Sequence, residues 1–197
     1  MNSESSVSKP VSHLKRNASA RCISPMKLVC AFSQAECEKI IALAERQSFV
    51  SGEMRNPLEG YRNCQMAIID SSSSSSWLAS KLSAIMEKAN EAYGFEMGND
   101  PPTLQFTRYG IGGKIDWHTD FDFNLDVSRK ISISVQLTPR QQYSGGGLEF
   151  FPTGEMQLGR DQGTAIVFPS FFTHAVMPIT EGVRESLVVW FYGSNFR

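Results

Sequence analysis

Hydrophobic residues recur at helical spacing in two segments before residue 100. Ser33 and Glu36 form a capping box, in which each side chain can satisfy a free backbone N–H of the other residue. The apolar stripe after it comprises Ile40, Ile41, Leu43 and Ala44. The serine run 71–76 offers N-caps for a second helix. Its stripe comprises Trp77, Leu78, Leu82, Ile85, Met86, Ala89 and Tyr93. We expect both stripes to face the core.

Short runs of β-branched and aromatic residues take over from about residue 103. Gly, Pro and Asp separate them, which is typical of a β-sandwich or barrel. The predicted strands are 62–69, 104–109, 131–137, 148–151, 164–168 and 187–192. The pattern therefore predicts a mainly β fold with supporting helices.

The run 131–137 has one apolar and one polar face. Its apolar positions, Ile131, Ile133, Val135 and Leu137, alternate with Ser132, Ser134 and Gln136. A polar face inside a small barrel costs free energy unless the lumen holds water or a ligand. This alternation is the first indication of a buried site.

Composition narrows the function classes. The chain has 197 residues and a formal net charge of −1, with no basic stripe, so nucleic acid is not the expected partner. No apolar run approaches the roughly 20 residues that cross a bilayer, so we expect no membrane partner and a cytoplasmic protein. Nothing in the pattern indicates an oligomeric state.

The domain organisation is simple. We expect residues 1–21 to be a flexible polar N-terminal arm without the apolar segment of a secretory signal. Residues 22–197 form one predicted domain, with helices mainly before residue 100 and a β core over about 103–197. Its cysteines, Cys22, Cys30, Cys37 and Cys64, lack CxxC spacing, so reduced thiols are expected rather than disulfides or a metal site.

Three residues form a candidate metal site. His118 and Asp120 stand at i and i+2, so on an extended strand they point to the same side. His174 follows a predicted strand and turn. Two imidazoles and one carboxylate suit iron(II) and leave coordination positions open. Alternatively, the two histidines are ordinary core or surface residues, since an HxD pair alone is a weak signal.

Arg184 and Ser186 follow the third candidate ligand on a predicted strand. An arginine fork can bind a ligand carboxylate through two parallel charge-assisted hydrogen bonds. The alternative for Arg184 is a structural ion pair with Glu149 or Asp126.

Several stretches carry a family resemblance. They are QFTRYGIGGKIDWHTD, RKISISVQL, YSGGGLEFF, GTAIVFPSFFTHAVMPITEGVRESLVVW and YGSNFR. In this order and spacing they resemble the prolyl 4-hydroxylase-type branch of the iron(II)/2-oxoglutarate dioxygenases. The resemblance implies a double-stranded β-helix, a jelly-roll barrel of the cupin-like kind, which agrees with the strand pattern above.

The resemblance also implies roles for single residues. His118, Asp120 and His174 match the catalytic iron ligands. Arg184 matches the residue that binds the distal carboxylate of 2-oxoglutarate. Ser186, Tyr109 and Gln136 match polar side chains around that co-substrate, although Tyr109 also reads as a core aromatic. The implied cofactors are Fe(II), 2-oxoglutarate and O2, with L-ascorbate as a candidate reductant. Procollagen-type relatives carry lysine in place of Arg184, so the branch name does not make this a collagen enzyme.

The implied reaction is hydroxylation of an unactivated C–H bond with release of succinate and CO2. The expected substrate is an amino-acid-like metabolite or a protein or peptide residue such as proline. One alternative is a metal-binding barrel without catalysis, acting as a sensor or binding module. A non-hydroxylating oxygenase of the same fold is another. Asp120 argues against a halogenase, which usually has Gly or Ala there, and Trp190 stands where AlkB-type demethylases carry a second arginine.

Other residues have weaker assignments. Glycines 145–147 are expected to form a tight turn rather than a phosphate loop. Phe171 and Phe172 are expected to wall the site, with ordinary barrel core as the alternative. Candidate substrate contacts, each equally explained as a surface charge, are Arg62, Asp116, Asp122 and Arg140.

Overall fold

A computed structural model describes residues 23–52, 60–70, 74–121, 127–152 and 159–195. The predicted arm 1–21 and Cys22 lie outside the described residues. Within them, no disulfide joins Cys30, Cys37 and Cys64. No helix of the described part is both long and apolar enough to span a bilayer.

Both predicted helices are present. Helix α1 covers Gln34–Ala44, and its Ser33–Glu36 capping box is formed as predicted. Helix α2 covers Ser76–Tyr93 and ends at Gly94, which adopts the left-handed conformation. Ser75 occupies its N-cap position without a capping hydrogen bond, because the Ser75 hydroxyl donates instead to the Asp70 carbonyl.

Strands make up most of the remaining structure. They are β1 Met26–Leu28, β2 Val50–Ser51, β3 Arg62–Asn63, β4 Gln65–Ile68, β5 Thr103–Tyr109, β6 Lys114–His118, β7 Ser128–Gln136, β8 Tyr143–Gly145, β9 Leu148–Phe150, β10 Ala165–Pro169, β11 His174–Val176, β12 Ile179–Gly182 and β13 Arg184–Gly193. The major sheet has the order β1-β10-β7-β13-β5-β4-β2, and the minor sheet has the order β3-β6-β11-β9. Strands β8 and β12 form a separate pair.

The predicted strand 62–69 is wrong as a single element. It divides at Cys64: β3 pairs with β6 in the minor sheet, whereas β4 pairs with β5 in the major sheet. A strand that passes between two packed sheets must bend at the corner. Gly52 marks this corner by donating its N–H to the Cys64 carbonyl.

The predicted two-faced strand explains where the site lies. The apolar residues of β7 join one core with α1, α2 and the outer face of the major sheet. Its polar residues Ser132, Ser134 and Gln136 are also buried, but between the two sheets. The double-stranded β-helix architecture is therefore confirmed, and its interior is polar at one side.

Candidate active site

Two histidines meet across the minor sheet. Strands β6 and β11 pair so that His118 lies opposite His174, and their ring centroids are 4.2 Å apart. In each, Nδ1 lies 2.8 Å from the carbonyl oxygen two residues earlier, that of Asp116 or Phe172. With the Nδ1 proton donated to that carbonyl, the Nε2 lone pair of each ring is free to bind a metal.

Asp120 reaches the histidines from a turn rather than from the strand. The prediction of one extended HxD strand is wrong in this detail, because β6 ends at His118. The Asp120 N–H donates to the Ser170 carbonyl at 2.9 Å, which fixes the turn. The Asp120 oxygens then lie 3.6 Å from His118 Nε2 and 3.7 Å from His174 Nε2.

A serine pair supports the Asp120 carboxylate. The Ser132 hydroxyl donates to Oδ2 of Asp120 at 2.7 Å and lies 2.9 Å from the Ser170 hydroxyl. Burial opposes ionisation of Asp120, but His174, His118 and Ser132 together hold its pKa well below the usual range. Burial lowers the pKa of His174, outweighing the nearby carboxylate. The site thus presents an anionic oxygen beside a neutral imidazole.

These three side chains fit a divalent metal. Their ligand atoms lie within 4.8 Å of one another, and among the described residues no other group of three His, Cys, Asp or Glu does so. Asp120 and His174 are buried, and His118 is nearly so. Two nitrogen donors and one anionic oxygen suit iron(II), as the sequence predicted.

A narrow cavity opens beside the three donors. Its apolar wall comprises Ile115, Leu148, Phe168, Val176 and Val188. Its polar lining comprises Arg62, Gln105, Tyr109, Ser134, Arg184, Ser186 and the indole of Trp190. Strand alternation produces this lining, since β13 turns Arg184, Ser186, Val188 and Trp190 inward.

Arg184 is buried and only partly satisfied. Its Nε donates to Oε1 of Gln136 at 3.0 Å, and Gln136 in turn donates to the Thr138 carbonyl. Its Nη1 is buried with no hydrogen-bond partner among the described residues. Arg184 makes no ion pair with Glu149, and Asp126 lies outside the described residues. An unpaired buried guanidinium N–H needs a ligand acceptor.

Ser186 and Tyr109 share a wall of the cavity with Arg184. Both side chains are buried. The Arg184 guanidinium lies 5.5 Å from the Tyr109 ring centroid. Burial raises the pKa of Tyr109, so its phenol is neutral and can donate a hydrogen bond.

The phenylalanine that lines the cavity is not one of the two that were expected there. Phe171 and Phe172 do not line the cavity, because they lie in the turn after β10. Phe171 is exposed and packs on Phe95, whereas Phe172 packs on the barrel core. Phe168 lines the cavity instead, with its ring centroid 4.8 Å from that of His174.

The structure places the remaining candidate residues in different surroundings. Gly145 ends β8, and residues 146–147 form the short link from β8 to β9, which lie in different sheets, so the predicted tight turn over 145–147 is not present as one unit. Arg62 lines the cavity. Asp116 is exposed and paired with Lys114, and Arg140 is exposed in a short 3₁₀ turn, so neither lines the cavity. Asp122 lies outside the described residues.

Sequence reasoning missed two supporting residues. Ser132 was recognised only as part of a polar face, and its alternation was the one available signal. Ser170 carried no signal, because its contacts with Asp120 and Ser132 depend on a turn closing against another strand.

Comparisons with known proteins agree with this geometry. A family model of the 2OG-Fe(II) oxygenase superfamily matches residues 104–192. A PKHD-type hydroxylase of Alteromonas mediterranea is 31% identical over 113 residues, covering 48% of this chain and 50% of that protein. One from Colwellia psychrerythraea is 41% identical over 84 residues, covering 41% of this chain and 38% of that protein. The matches thus span half or less of these relatives' lengths.

Solved structures match over more of the chain. A Pseudomonas putida prolyl-4-hydroxylase superposes with a TM-score of 0.69 at 18% identity, covering 87% of this chain and 93% of that one. A prolyl hydroxylase of Trichoplax adhaerens, in complex with a hypoxia inducible factor peptide fragment, superposes with a TM-score of 0.68 at 18% identity. The match covers 85% of this chain and 83% of that one. At this identity the likeness concerns the fold. Together, the family match over residues 104–192 and this likeness show that the chain is similar to the 2OG-Fe(II) oxygenases and has a fold like that of prolyl 4-hydroxylases.

Proposed function

We propose that the chain is a 2-oxoglutarate-dependent hydroxylase in which His118, Asp120 and His174 hold Fe(II). The observation that carries this proposal is their meeting in one cavity with a buried, incompletely paired arginine. When bound, iron(II) with 2-oxoglutarate supplies the oxidising chemistry, in which O2 gives one oxygen to a substrate C–H and one to the co-substrate, released as succinate and CO2.

Arg184 binds the distal carboxylate of 2-oxoglutarate in this proposal. Its unpaired Nη1 supplies one arm of the charge-assisted contact, and Gln136 holds the other side of the guanidinium in place. Ser186 and the neutral phenol of Tyr109 are donors in the same wall. These residues bind and orient the co-substrate.

The remaining residues of the cavity position and protect the reaction. Ser132 and the backbone of Ser170 keep Asp120 ionised and aimed at the histidines. The apolar wall, including Phe168 and Val176, excludes water from the space beside them. Holding the reacting groups in a dry, fixed geometry is the protein's contribution to such a reaction.

The proposed substrate is an amino-acid-like metabolite or a peptide residue such as proline. Support comes from two structural neighbours that are prolyl hydroxylases, one of them in complex with a peptide fragment. The proposed location is cytoplasmic, where proteins rarely carry disulfides, and the described cysteines form none. L-ascorbate as reductant is part of the proposal and is tested by its omission.

Succinate formation tests the proposal. The purified protein would be supplied with Fe(II), 2-oxoglutarate and ¹⁸O2, with and without ascorbate, and with free amino acids, proline peptides and a small-molecule cell extract. We expect substrate-stimulated succinate and a product heavier by one ¹⁸O atom. His174→Ala should form neither, whereas the exposed Arg140→Gln should match the wild type.

The same assay separates the alternatives. Metal binding without succinate under any condition would favour a non-catalytic sensor or binding module. Succinate formation without an ¹⁸O-labelled product would favour a non-hydroxylating oxygenase of this fold.

A further inference from the structure

A second arginine lines the cavity without an assigned role. Arg62 lies on β3, where it pairs with Ile115 of β6, the strand that carries His118. Its aliphatic stem packs over Gly52, where an added Cβ would lie 2.7 Å from the Arg62 Cδ. The side chain is thus held at the cavity from the minor-sheet side, whereas Arg184 enters from the major sheet.

The Arg62 guanidinium has no carboxylate partner among the described residues. Its Nη1 lies 3.1 Å from the Met66 thioether, a weak acceptor, and its buried Nε has no hydrogen-bond partner in the described part of the chain. Arg108, also partly buried, contrasts with it by pairing with both Glu45 and Glu185. Leaving a partly buried guanidinium without an acceptor costs free energy, and an anion supplied from outside would offset that cost.

The charge balance of the cavity indicates the charge of that anion. This step rests on the proposed function. Asp120 is the one carboxylate among the described lining residues. A divalent metal and two guanidinium groups against that carboxylate leave three positive charges. Dianionic 2-oxoglutarate compensates two of them, and one positive charge remains for the substrate to meet.

Arg62 lies close to the proposed metal ligands. It lines the same cavity as His118, Asp120 and His174, and it pairs with Ile115 on the strand that ends at His118. A substrate anion at Arg62 would therefore lie close to the proposed iron.

We propose that Arg62 is the substrate-recognition group of this cavity and binds one carboxylate of the substrate beside the metal site. The substrate class is then a monocarboxylate, as in a free amino acid or an acidic residue of a peptide. The planar guanidinium can hold that carboxylate by two parallel hydrogen bonds and so fix which C–H faces the metal.

Paramagnetic relaxation tests this assignment without turnover. The protein would be loaded with Mn²⁺ and saturating 2-oxoglutarate, and the binding of both measured first. Proton line broadening would then be recorded for acetate and L-proline, each beside its carboxamide, which lacks the carboxylate charge, and for aspartate capped as N-acetyl amide. We expect broadening by the carboxylates and little by the carboxamides. Stronger binding of L-proline than of capped aspartate would indicate a free amino acid, and the reverse a peptide residue.

Variants of Arg62 test whether this residue causes the preference for carboxylates. Arg62→Gln should weaken carboxylate binding about tenfold or more, and Arg62→Lys less, because lysine keeps the charge but loses the fork. Both should retain Mn²⁺ and 2-oxoglutarate affinity, which also shows that they fold. Arg140→Gln is the matched control and should behave as the wild type.

Three other outcomes would each reject either the role of Arg62 or the proposed function. Mn²⁺ and 2-oxoglutarate binding with equal broadening by carboxylates and carboxamides, or none, would reject the role of Arg62 alone. Unchanged carboxylate binding in Arg62→Gln would reject it as well. Failure of the wild type to bind Mn²⁺ or 2-oxoglutarate would reject the proposed function, and the inference with it.

Discussion

Asp120 shows how far a single residue depends on its neighbours. Its type and its spacing from His118 were readable in the sequence, and so was His174 as a third donor. The residues that keep its carboxylate ionised could not be read from the sequence, because Ser132 and Ser170 reach it from a distant strand and a turn. Side-chain type thus predicted the donors, whereas their support required the folded structure.

Removing the Ser132 hydroxyl should weaken metal binding. In Ser132→Ala, Asp120 loses a 2.7 Å hydrogen bond to Oδ2. Outer hydrogen bonds of this kind are typically worth about 10–100-fold in metal affinity, and we expect a loss in that range for Mn²⁺ by calorimetry. Ser134→Ala, on the same inward face without a bond to Asp120, is the control. Equal affinities in the two variants would mean that Ser132 does not hold the carboxylate.

Arg184→Lys should weaken 2-oxoglutarate binding while leaving the metal in place. Lysine offers a point charge instead of a planar fork and cannot keep the bond from Nε to Gln136. Losing one charge-assisted hydrogen bond costs about 1.5–3 kcal/mol, so the Kd for 2-oxoglutarate should rise at least tenfold. Titration of the Mn²⁺-loaded protein measures it. An unchanged Kd would reject the co-substrate role.

Elements differ in how strongly the local sequence specifies them. Helix α1 has its capping box and apolar stripe in consecutive residues, so its start was predicted correctly. The strands β3, β6 and β11 have two to five residues, too few to show a reliable period, and they were not predicted as separate strands. Pairing with neighbouring strands defines them, and pairing partners are distant in the sequence.

The capping box of α1 can be tested by its effect on stability. Ser33→Ala removes the hydroxyl that accepts from the Glu36 N–H, and we expect a loss of about 1 kcal/mol in the free energy of unfolding. Urea denaturation measures this loss. Ser80→Ala, at an exposed position inside α2, should change stability by less than about 0.5 kcal/mol. Equal effects would show that the box contributes nothing specific.

The link between β8 and β9 should affect 2-oxoglutarate binding, because Gly146 in this link lies next to the side chain of Arg184. Gly146 has φ +63°, and an added Cβ would crowd Ile179 and lie 2.9 Å from the Arg184 Cδ. Gly112 has φ +75° with nothing within 4 Å of an added Cβ. Both alanine variants should therefore lose about 1–2 kcal/mol of stability from backbone strain.

Only Gly146→Ala should also weaken 2-oxoglutarate binding, because it displaces the arginine stem. Calorimetric titration of 2-oxoglutarate into the two Mn²⁺-loaded variants makes the comparison. Wild-type affinity in Gly146→Ala, or an equal loss in Gly112→Ala, would contradict this coupling.

At the scale of the whole molecule, the barrel is predictable and the route of the chain through it is not. Long strands such as β7 and β13 carry the alternation that separates the helix-facing core from the cavity. The crossing at Cys64, which puts Arg62 in the minor sheet, left no trace in the pattern of residues 62–69. The resemblance to known dioxygenases predicted which residues form the candidate site, and the sheet pairing explains how they come together.

The most direct test of the central claim is a crystal structure of the protein with Mn²⁺ and 2-oxoglutarate, with the metal located by anomalous scattering. We predict one ion about 2.0–2.3 Å from Nε2 of His118, an oxygen of Asp120 and Nε2 of His174, with 2-oxoglutarate reaching Arg184. A metal-loaded structure in which these side chains point apart, or in which the ion binds elsewhere, would contradict the account.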